Sequence, residues 1–310
     1  MAMDQEFLLI AEAGVLERQA VLLCESVRRF AGPECVLTVV SPRPDRRPEG
    51  ATLRALDALG ADYHPLQLDS ACPEYGPSYR IAAAAWSERR PGPDIIVQLD
   101  SDTLFLGEPD FSLEGADFLA RPVDLLGLST TGEGCIFDSF WRELCGLAEV
   151  DYEDLPFVTT TVDRLRIRAN YNAGLLVARR SLGVFRRTEE IFQRLVAAGL
   201  RPLQSLNERV RSGAGLVSVK GSAHWGTSQA AFAVAAASLG GRGRILSERY
   251  NVPLHLLEPP QSPPEPWIHV HYHWLAGDDG AEGNRLTDPA QGLPAAAVEW
   301  LKGRLPLAQA

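Results

Sequence analysis

The chain has 310 residues and carries 30 Lys and Arg against 40 Asp and Glu, which gives a net charge of −10. This acidic balance argues against wholesale nucleic-acid binding, because proteins that bind nucleic acid usually present a basic stripe. The 45% apolar and 23% charged fractions are typical of a globular protein and exclude a largely disordered one. The longest apolar runs, residues 81–86 and 230–237, are far shorter than the roughly 18 residues that a membrane span needs.

The N-terminal residues and the cysteines indicate the cellular compartment. No basic start followed by an apolar run opens the sequence, so we expect no secretory signal peptide. The five cysteines are odd in number, and none lies in a Cys-x-x-Cys pair. Disulfide frameworks and zinc sites both need closely spaced pairs, so we expect free thiols in a reducing compartment. Together these features predict a cytoplasmic protein with no transmembrane segment.

The first hundred residues alternate between short apolar strands and amphipathic helices. Apolar runs predict strands at residues 7–11, 36–40, 63–68 and 95–99. Helical periodicity predicts helices at residues 15–30, through Leu53, Leu56 and Leu59, and at residues 79–89. Continuous apolar strands that alternate with helices predict an α/β fold, with a mostly parallel central sheet and helices on both of its faces.

After residue 110 the alternation weakens. Apolar runs predict strands at residues 118–122, 173–178 and 267–273, and periodicity predicts helices at residues 137–146, 182–198 and 228–239. A Pro-rich stretch at 259–264 predicts a loop or extended segment. No internal repeat or linker divides the sequence. We therefore expect one domain over residues 1–310, with an elaborated second half and a C-terminal helix and tail from residue 276.

The strongest chemical signal is the run Asp100-Ser101-Asp102, which directly follows the apolar strand predicted at residues 95–99. Ligands bind at the carboxyl ends of parallel strands. Two carboxylates there supply hard oxygen ligands for Mg²⁺ or Mn²⁺, which keeps open positions for phosphate oxygens and can neutralise a departing diphosphate. Two acids at this spacing can also cap a turn, but their position after a buried strand favours metal binding.

The segment 97–103 resembles the DxD motif of GT-A-fold glycosyltransferases, and is similar in particular to the glycogenin and galactosyltransferase-like (family 8-type) group. Three later segments fit this resemblance in order, at residues 170–176, 225–229 and 267–272. The resemblance implies a GT-A-like fold with a nucleotide-binding half at about residues 1–110 and a sugar and acceptor half at about residues 111–275. It also favours transfer with retention of the anomeric configuration.

The late histidines are predicted to complete the metal site. The resemblance implies that a histidine of the 267–273 strand joins Asp100 and Asp102 at the ion. His269, His271 and His273 alternate, so a strand would place them on one face, about 6.5–7 Å apart in steps of two. That spacing is too wide for all three to hold one ion, and it also fits a half-exposed strand. We predict His271 as the ligand and His269 as the second choice.

The segments at 170–176 and 225–229 are predicted to line the sugar. The amide of Asn172 can both donate to and accept from hydroxyls, and Gly174 allows close approach of a ligand, although a strand-entry turn would use the same two residues. Gln229 is available as a neutral group over the sugar. Ser228 stands where the family commonly has Asp, and it could equally be a helix N-cap. We predict Asn172 and Gln229 as catalytic-site residues.

The donor nucleotide is expected above the end of the first strand. The resemblance and the position of ligands in parallel sheets place it near Ala11 and Glu12, with no Gly-rich phosphate loop in the sequence. Arg80, which opens the helix before the DxD strand, is predicted to contact the diphosphate, although arginines on helices usually face water. Ser101 and Gly174 complete the predicted donor-binding set, together with the two DxD acids.

The sequence therefore predicts a Mn²⁺- or Mg²⁺-dependent glycosyltransferase that transfers a sugar from a nucleotide-diphosphate sugar, expected to be a UDP-sugar. Its acceptor could be a glycan, a lipid, a protein or a small molecule. Two alternatives stay open. A sugar-nucleotide nucleotidyltransferase shares the α/β plan and the metal carboxylates, but its Gly-rich loop after the first strand is absent. A non-catalytic nucleotide-sugar or carbohydrate-binding protein would need neither the acids nor the histidines.

Overall fold

The computed structural model describes residues 5–202, 209–212, 215–276 and 285–305. In these residues the strands are β1 Gln5–Ile10, β2 Val36–Ser41, β3 Asp62–Pro65, β4 Ile95–Leu99, β5 Thr103–Phe105, β6 Phe118–Pro122, β7 Phe157–Thr159, β8 Arg166–Arg168, β9 Tyr171–Arg179, β10 Arg211–Ser212, β11 Gly215–Leu216, β12 Gly243–Ile245, β13 Val252–Pro253 and β14 His269–His271. The helices are α1 Val15–Phe30, α2 Gly50–Ala58, α3 Pro77–Arg89, α4 Asp138–Ala148, α5 Val184–Ala197, α6 Val219–Ser222, α7 Thr227–Ser238 and α8 Ala295–Lys302.

The main sheet has the strand order β12-β6-β9-β4-β1-β2-β3. Neighbouring strands run parallel except at β9, which is antiparallel to both β4 and β6. This confirms the mostly parallel sheet that the sequence predicts and adds one reversed strand. Because β9 is reversed, its first residue, Tyr171, lies opposite Pro122 at the sheet edge where β6 ends.

Side chains of the central strands alternate between two cores, because successive residues of a strand point to opposite faces. Phe7 and Leu9 belong to a core that also contains buried residues of α1 and α2. Leu8 lies in a second core, with buried residues of α3, α4, α5 and α7. Helices therefore cover both faces, as the alternation in the sequence predicts. Within the described part of the chain, no helix combines the length and the apolar content needed to cross a membrane.

A small second sheet joins the C-terminal part of the chain to the turn after β4. Its strand order is β13-β14-β5, with β14 antiparallel to β5. In this register His271 lies opposite Thr103, the residue that follows Asp102. A third core, which includes Leu104, Val270 and Leu301 of α8, packs this sheet. The pairing of β14 with β5 is what brings the late histidines to the acidic turn.

The strand predicted at residues 267–273 is shorter than expected. β14 ends at His271, and His273 has a φ of 47°, in the left-handed region, where the chain turns into a short 3₁₀ helix at His273–Ala276. The Pro-rich stretch at 259–264 contains neither helix nor strand, as predicted. Helix α8 lies in the predicted C-terminal segment, of which residues 277–284 and 306–310 are outside the described residues. The division into two halves near residue 110 stays a prediction.

Candidate active site

The turn after β4 is tied to the strands on both sides of it. The backbone N–H of Asp100 donates to the carbonyl of Gly174 on β9, at 3.1 Å. The hydroxyl of Ser101 donates to the carbonyl of Ile10 at the end of β1, at 2.6 Å. The Thr103 hydroxyl closes the turn onto the carbonyl of Asp100, at 2.7 Å. The two acids are therefore carried on a fixed backbone. The hydroxyl of Ser101 has a structural partner, and its predicted contact with the donor stays a prediction.

Asp102 faces two imidazole rings. Nε2 of His271 lies 3.2 Å from Oδ1 of Asp102, and Nδ1 of His273 lies 3.3 Å from Oδ2. The two rings are stacked, with centroids 4.1 Å apart. A third ring, that of His255, lies with its centroid 3.8 Å from that of His273. The left-handed turn at His273 brings its ring beside that of His271, which regular strand spacing would prevent.

The electrostatics of this group favour one proton on His271. Burial alone would raise the pKa of Asp102, but His271 and His273 hold it well below its usual range. Burial alone would lower the pKa of His271, but the Asp102 carboxylate outweighs burial and raises it. Burial, followed by repulsion from His271, lowers the pKa of His273 to about 3 and that of His255 to about 4. Asp102 is therefore a carboxylate, His273 is neutral, and His271 carries a proton that a metal ion can replace.

These donors fit a divalent metal ion. The ligand atoms of Asp102, His271 and His273 all lie within 4.8 Å of one another. Two ligands bound to one transition-metal ion at about 2.1 Å are roughly 3.0–3.5 Å apart. The two nitrogen–oxygen separations in this group fall in that range. A carboxylate with two imidazoles also suits first-row divalent ions. Residues 102, 271 and 273 could therefore hold the cofactor that the sequence predicts.

Asp100 has a different partner. The guanidinium of Arg80, on the first turn of α3, forms an ion pair with its carboxylate. A second Arg80 nitrogen donates to the hydroxyl of Ser228 at 3.3 Å, and that hydroxyl is 2.9 Å from the hydroxyl of Tyr75. Burial would lower the pKa of Arg80, but Asp100 raises it, so the guanidinium stays charged. The structure thus holds Arg80, half-buried, at the acidic turn, and the interpretation of a water-facing arginine is wrong.

His269, the second choice as a ligand, lies outside this group. It is fully buried opposite Phe105, with ring centroids 4.7 Å apart. Neither of its ring nitrogens has a hydrogen-bond partner among the described residues, and burial holds its pKa well below the usual value. The structure brings His271 and His273, but not His269, to Asp102. Roles for Asp100 and His269 at a metal stay predictions.

The segment Asn172–Gly174 lies at an irregularity of β9. The register between β9 and β6 shifts so that Ala120 faces Leu176 while the next residue, Arg121, faces Asn172. In this irregularity the backbone N–H of Gly174 donates to the side-chain oxygen of Asn172, at 2.9 Å. The Asn172 amide nitrogen donates to Asp124 at 2.6 Å. Each amide atom therefore uses one of its two hydrogen-bonding positions internally and keeps one.

A cleft of about 460 Å³ opens beside this segment. Its lining includes Asn172, Gln229 and Trp225, and it is closed on another side by residues 123–129. Asp124 is the one acid among the described lining residues. Burial raises its pKa, and it accepts hydrogen bonds from Asn172 and Thr161. Sequence reasoning missed Asp124, because an acid in an irregular loop carries no motif.

The end of β1 carries a buried ion pair. Glu12 is 2% exposed and accepts a hydrogen bond from Nε of Arg43 at 2.7 Å. The Arg43 guanidinium lies over the ring of Tyr79, 4.5 Å from its centroid. Ala11 is buried and bonded to β2 through its backbone. The predicted nucleotide position therefore has a charged and aromatic wall, in which Arg43, from a Pro-rich loop, is the residue that the sequence did not indicate.

Comparisons with known proteins identify the family. Residues 7–205 match the Rhodobacterales glycosyltransferase domain. The chain belongs to this family. The chain is therefore a glycosyltransferase. This finding supports neither the nucleotidyltransferase nor the non-catalytic binding protein, the two alternatives that the sequence left open. The family match includes the acidic turn, Arg80 and Asn172, whereas Gln229 and His271 lie beyond it. No curated protein matches significantly.

Solved structures show the same fold as this glycosyltransferase. A crystal structure of LgtC with an active-site glutamine-to-glutamate mutation covers 98% of this chain and 97% of its own, with a TM-score of 0.51 and 12% identity. The galactosyltransferase LgtC in complex with donor and acceptor sugar analogues covers 97% and 100%, with a TM-score of 0.50 and 15% identity. The expectation of a GT-A-like α/β fold is confirmed.

Proposed function

We propose that this glycosyltransferase transfers a hexose from a UDP-sugar to an acceptor bound in the cleft, with a divalent metal ion between the acidic turn and the diphosphate. The observation that carries this proposal is the convergence of Asp102, His271 and His273 at the carboxyl edge of the main sheet. Carboxylates and a diphosphate repel each other, so both can share one site only when a cation lies between them.

In this proposal Asp102, His271 and His273 hold Mn²⁺ or Mg²⁺. The bound ion would neutralise the charge that develops on the departing diphosphate. Asp100, already paired with Arg80, keeps the guanidinium beside the acidic turn, where it can donate to the donor substrate. Binding of a dication also replaces the proton that Asp102 favours on His271, so metal binding releases a proton.

The donor nucleotide lies against the end of β1 in this proposal. Glu12 is held by Arg43, and the Arg43 guanidinium and the Tyr79 ring form a stacked wall there. An aromatic and a guanidinium plane suit a planar base and its ribose. The likeness to LgtC, which was solved with a donor and an acceptor sugar analogue, supports a nucleotide-sugar donor.

The sugar and acceptor are proposed to meet at the cleft beside Asn172. The spare N–H and lone pair of its amide can bind sugar hydroxyls. Gln229, at the start of α7, lines the same cleft and can lie over the sugar. A glutamine-to-glutamate change in LgtC is described as an active-site mutation, so the active site of that similarly folded enzyme contains a glutamine.

Retention of the anomeric configuration is part of the proposal. An inverting transfer needs a carboxylate free to take the acceptor's proton. Asp124, the acid in the described cleft lining, is 9% exposed, and hydrogen bonds from Thr161 and Asn172 tie it to the cleft wall rather than presenting it to the acceptor. The anomeric proton coupling in the NMR spectrum of the first-formed product checks this point, and an inverted product would contradict it.

The test combines metal binding with donor turnover. Isothermal titration with MnCl₂, and hydrolysis of a panel of nucleotide sugars with Mn²⁺ or EDTA, would be measured for the wild type and Asp102→Asn. The matched control is Asp57→Asn, which changes an exposed acid of α2. We expect metal-dependent hydrolysis that Asp102→Asn abolishes and Asp57→Asn leaves intact. Turnover that persists in EDTA, or in Asp102→Asn, would overturn the proposed site.

A further inference from the structure

Two buried polar side chains meet over Gly174 with unused hydrogen-bonding capacity. Asn251 is 1% exposed and His271 is 4% exposed. Neither the oxygen nor the nitrogen of the Asn251 amide has a hydrogen-bond partner among the described residues. The same is true of Nδ1 of His271. Buried polar groups are nearly always satisfied in folded proteins, so three such atoms in one place call for an explanation.

The missing side chain of Gly174 defines the space that these atoms share. A Cβ on Gly174 would lie 2.6 Å from Oδ1 of Asn251 and 2.7 Å from Nδ1 of His271. Both atoms therefore point at one position, directly above the backbone of β9. That backbone is fixed by Asn172, whose side chain accepts from the Gly174 N–H. The glycine thus allows an amide and an imidazole to approach each other.

The local backbone also favours an asparagine at position 251. Asn251 has a φ of 47°, in the left-handed region that asparagine tolerates better than most residues. Its neighbours, Tyr250 and Val252, are buried in two different cores, which anchors the residue from both sides. The amide is therefore held over Gly174 by the fold around it, at the position that Nδ1 of His271 also faces.

We infer that Asn251 is a positioning residue for His271: a small rotation of its side chain lets Oδ1 accept the Nδ1–H of the ring, which leaves the Nε2 lone pair free to bind the metal. Nε2 is the nitrogen that faces Asp102, at 3.2 Å. Metal-binding histidines almost always donate their other ring N–H to a nearby oxygen, and that partner fixes the tautomer and the ring orientation. This inference rests on the metal site of the proposed function.

The first test reads the tautomer in wild-type protein and needs no variant. In protein labelled with ¹⁵N-histidine and kept free of metal at alkaline pH, His271 should show a protected Nδ1–H. The His271 signal is assigned by its loss in His271→Gln. A neutral ring that carries its proton on Nε2 would overturn the inference. Because this measurement needs no metal, it tests the role of Asn251 even if the wild type binds no Mn²⁺. A failure of the wild type to bind Mn²⁺ would instead refute the proposed function.

The second test measures Mn²⁺ affinity by titration. Asn251→Gly keeps the left-handed backbone and removes the amide, and Asn251→Asp keeps an acceptor oxygen. The control, Gln291→Ala, removes another buried amide with an unpartnered oxygen, outside the proposed site. We expect Asn251→Gly to weaken Mn²⁺ binding about 10–100-fold. Asn251→Asp and Gln291→Ala should bind Mn²⁺ with an affinity close to or above that of the wild type. Equal affinity in Asn251→Gly and the wild type, or an equal loss in Gln291→Ala, would overturn the inference.

Discussion

Replacement of Gly174 by alanine should destabilise the protein by about 1–3 kcal/mol, the usual range for an overpacked site. The added Cβ would lie under 3.0 Å from Asn251 and from the His271 ring, whose nearest atoms would be at 2.7 and 2.9 Å. Neither neighbour can withdraw into solvent, since both are buried. The backbone of β9 cannot shift easily either, because it pairs with β4 on one side and β6 on the other.

The matched control is the same substitution at Gly146. This glycine lies inside α4 and is exposed, and no atom beyond its own stretch of helix lies within 4 Å of the Cβ position. Alanine there should stabilise the protein by about 0.5–1 kcal/mol, because glycine loses more backbone freedom in a helix. Equilibrium urea denaturation, followed by tryptophan fluorescence, measures both variants. If Gly174→Ala unfolds at the same urea concentration as the wild type or a higher one, the packing described over Gly174 is incorrect.

Three further predictions concern other groups. Arg80→Met should lower the free energy of unfolding by about 1–3 kcal/mol, because Asp100 loses its charged partner. The loss should lie towards the lower end of this range, because both partners are partly exposed. Asp100→Asn in the same chain should recover part of the loss in urea denaturation. Burial alone would raise the pKa of Asp138, but hydrogen bonds from three side chains lower it. The stabilising effect of the Asp138 carboxylate is therefore present above the unfolded carboxyl pKa of about 3.9 and is lost as the pH falls through the lower folded value. The wild type and Asp138→Asn should therefore converge in stability in acid. A stability difference that stays constant with pH would contradict this. Burial raises the pKa of Cys145 to about 12, whereas at Cys135 backbone N–H groups outweigh burial and lower the pKa. Iodoacetamide should therefore label Cys135 well before Cys145 in peptide mass spectra, and equal rates would refute this order.

Most strands of the main sheet could be predicted from the sequence, because each is a local apolar run; their order in the sheet was not predicted. Helix α1 begins and ends at the predicted residues, and β4 and β6 do as well. The direction of β9 could not be predicted, because a continuous apolar strand has the same pattern whichever way it runs. The short strands of two or three residues carry too few side chains to show a period.

The acidic turn was predictable, but its partners were less so. A strand that ends at two acids indicates chemistry wherever it occurs, and that pattern identified Asp102 before its neighbours were known. The pairing of Asp100 with Arg80 depends on how α3 packs, which no local spacing encodes. The approach of His273 depends on one left-handed residue. Asn251 and Asp124 were missed because single polar residues in irregular segments are indistinguishable from ordinary loop residues.

The antiparallel pairing of β14 with β5 also sets an order of events during synthesis. His271 follows Asp102 by 169 residues, so at about 5–20 residues per second it is made roughly 10–30 s later. Throughout that interval the acidic turn has no imidazole beside it, although β1, β2 and β4 are already available to pair. A nascent chain that stops before β14 therefore carries Asp102 without its two imidazole partners, whereas Asp100 already has Arg80 available. The histidine–carboxylate group is assembled only when the chain is nearly finished.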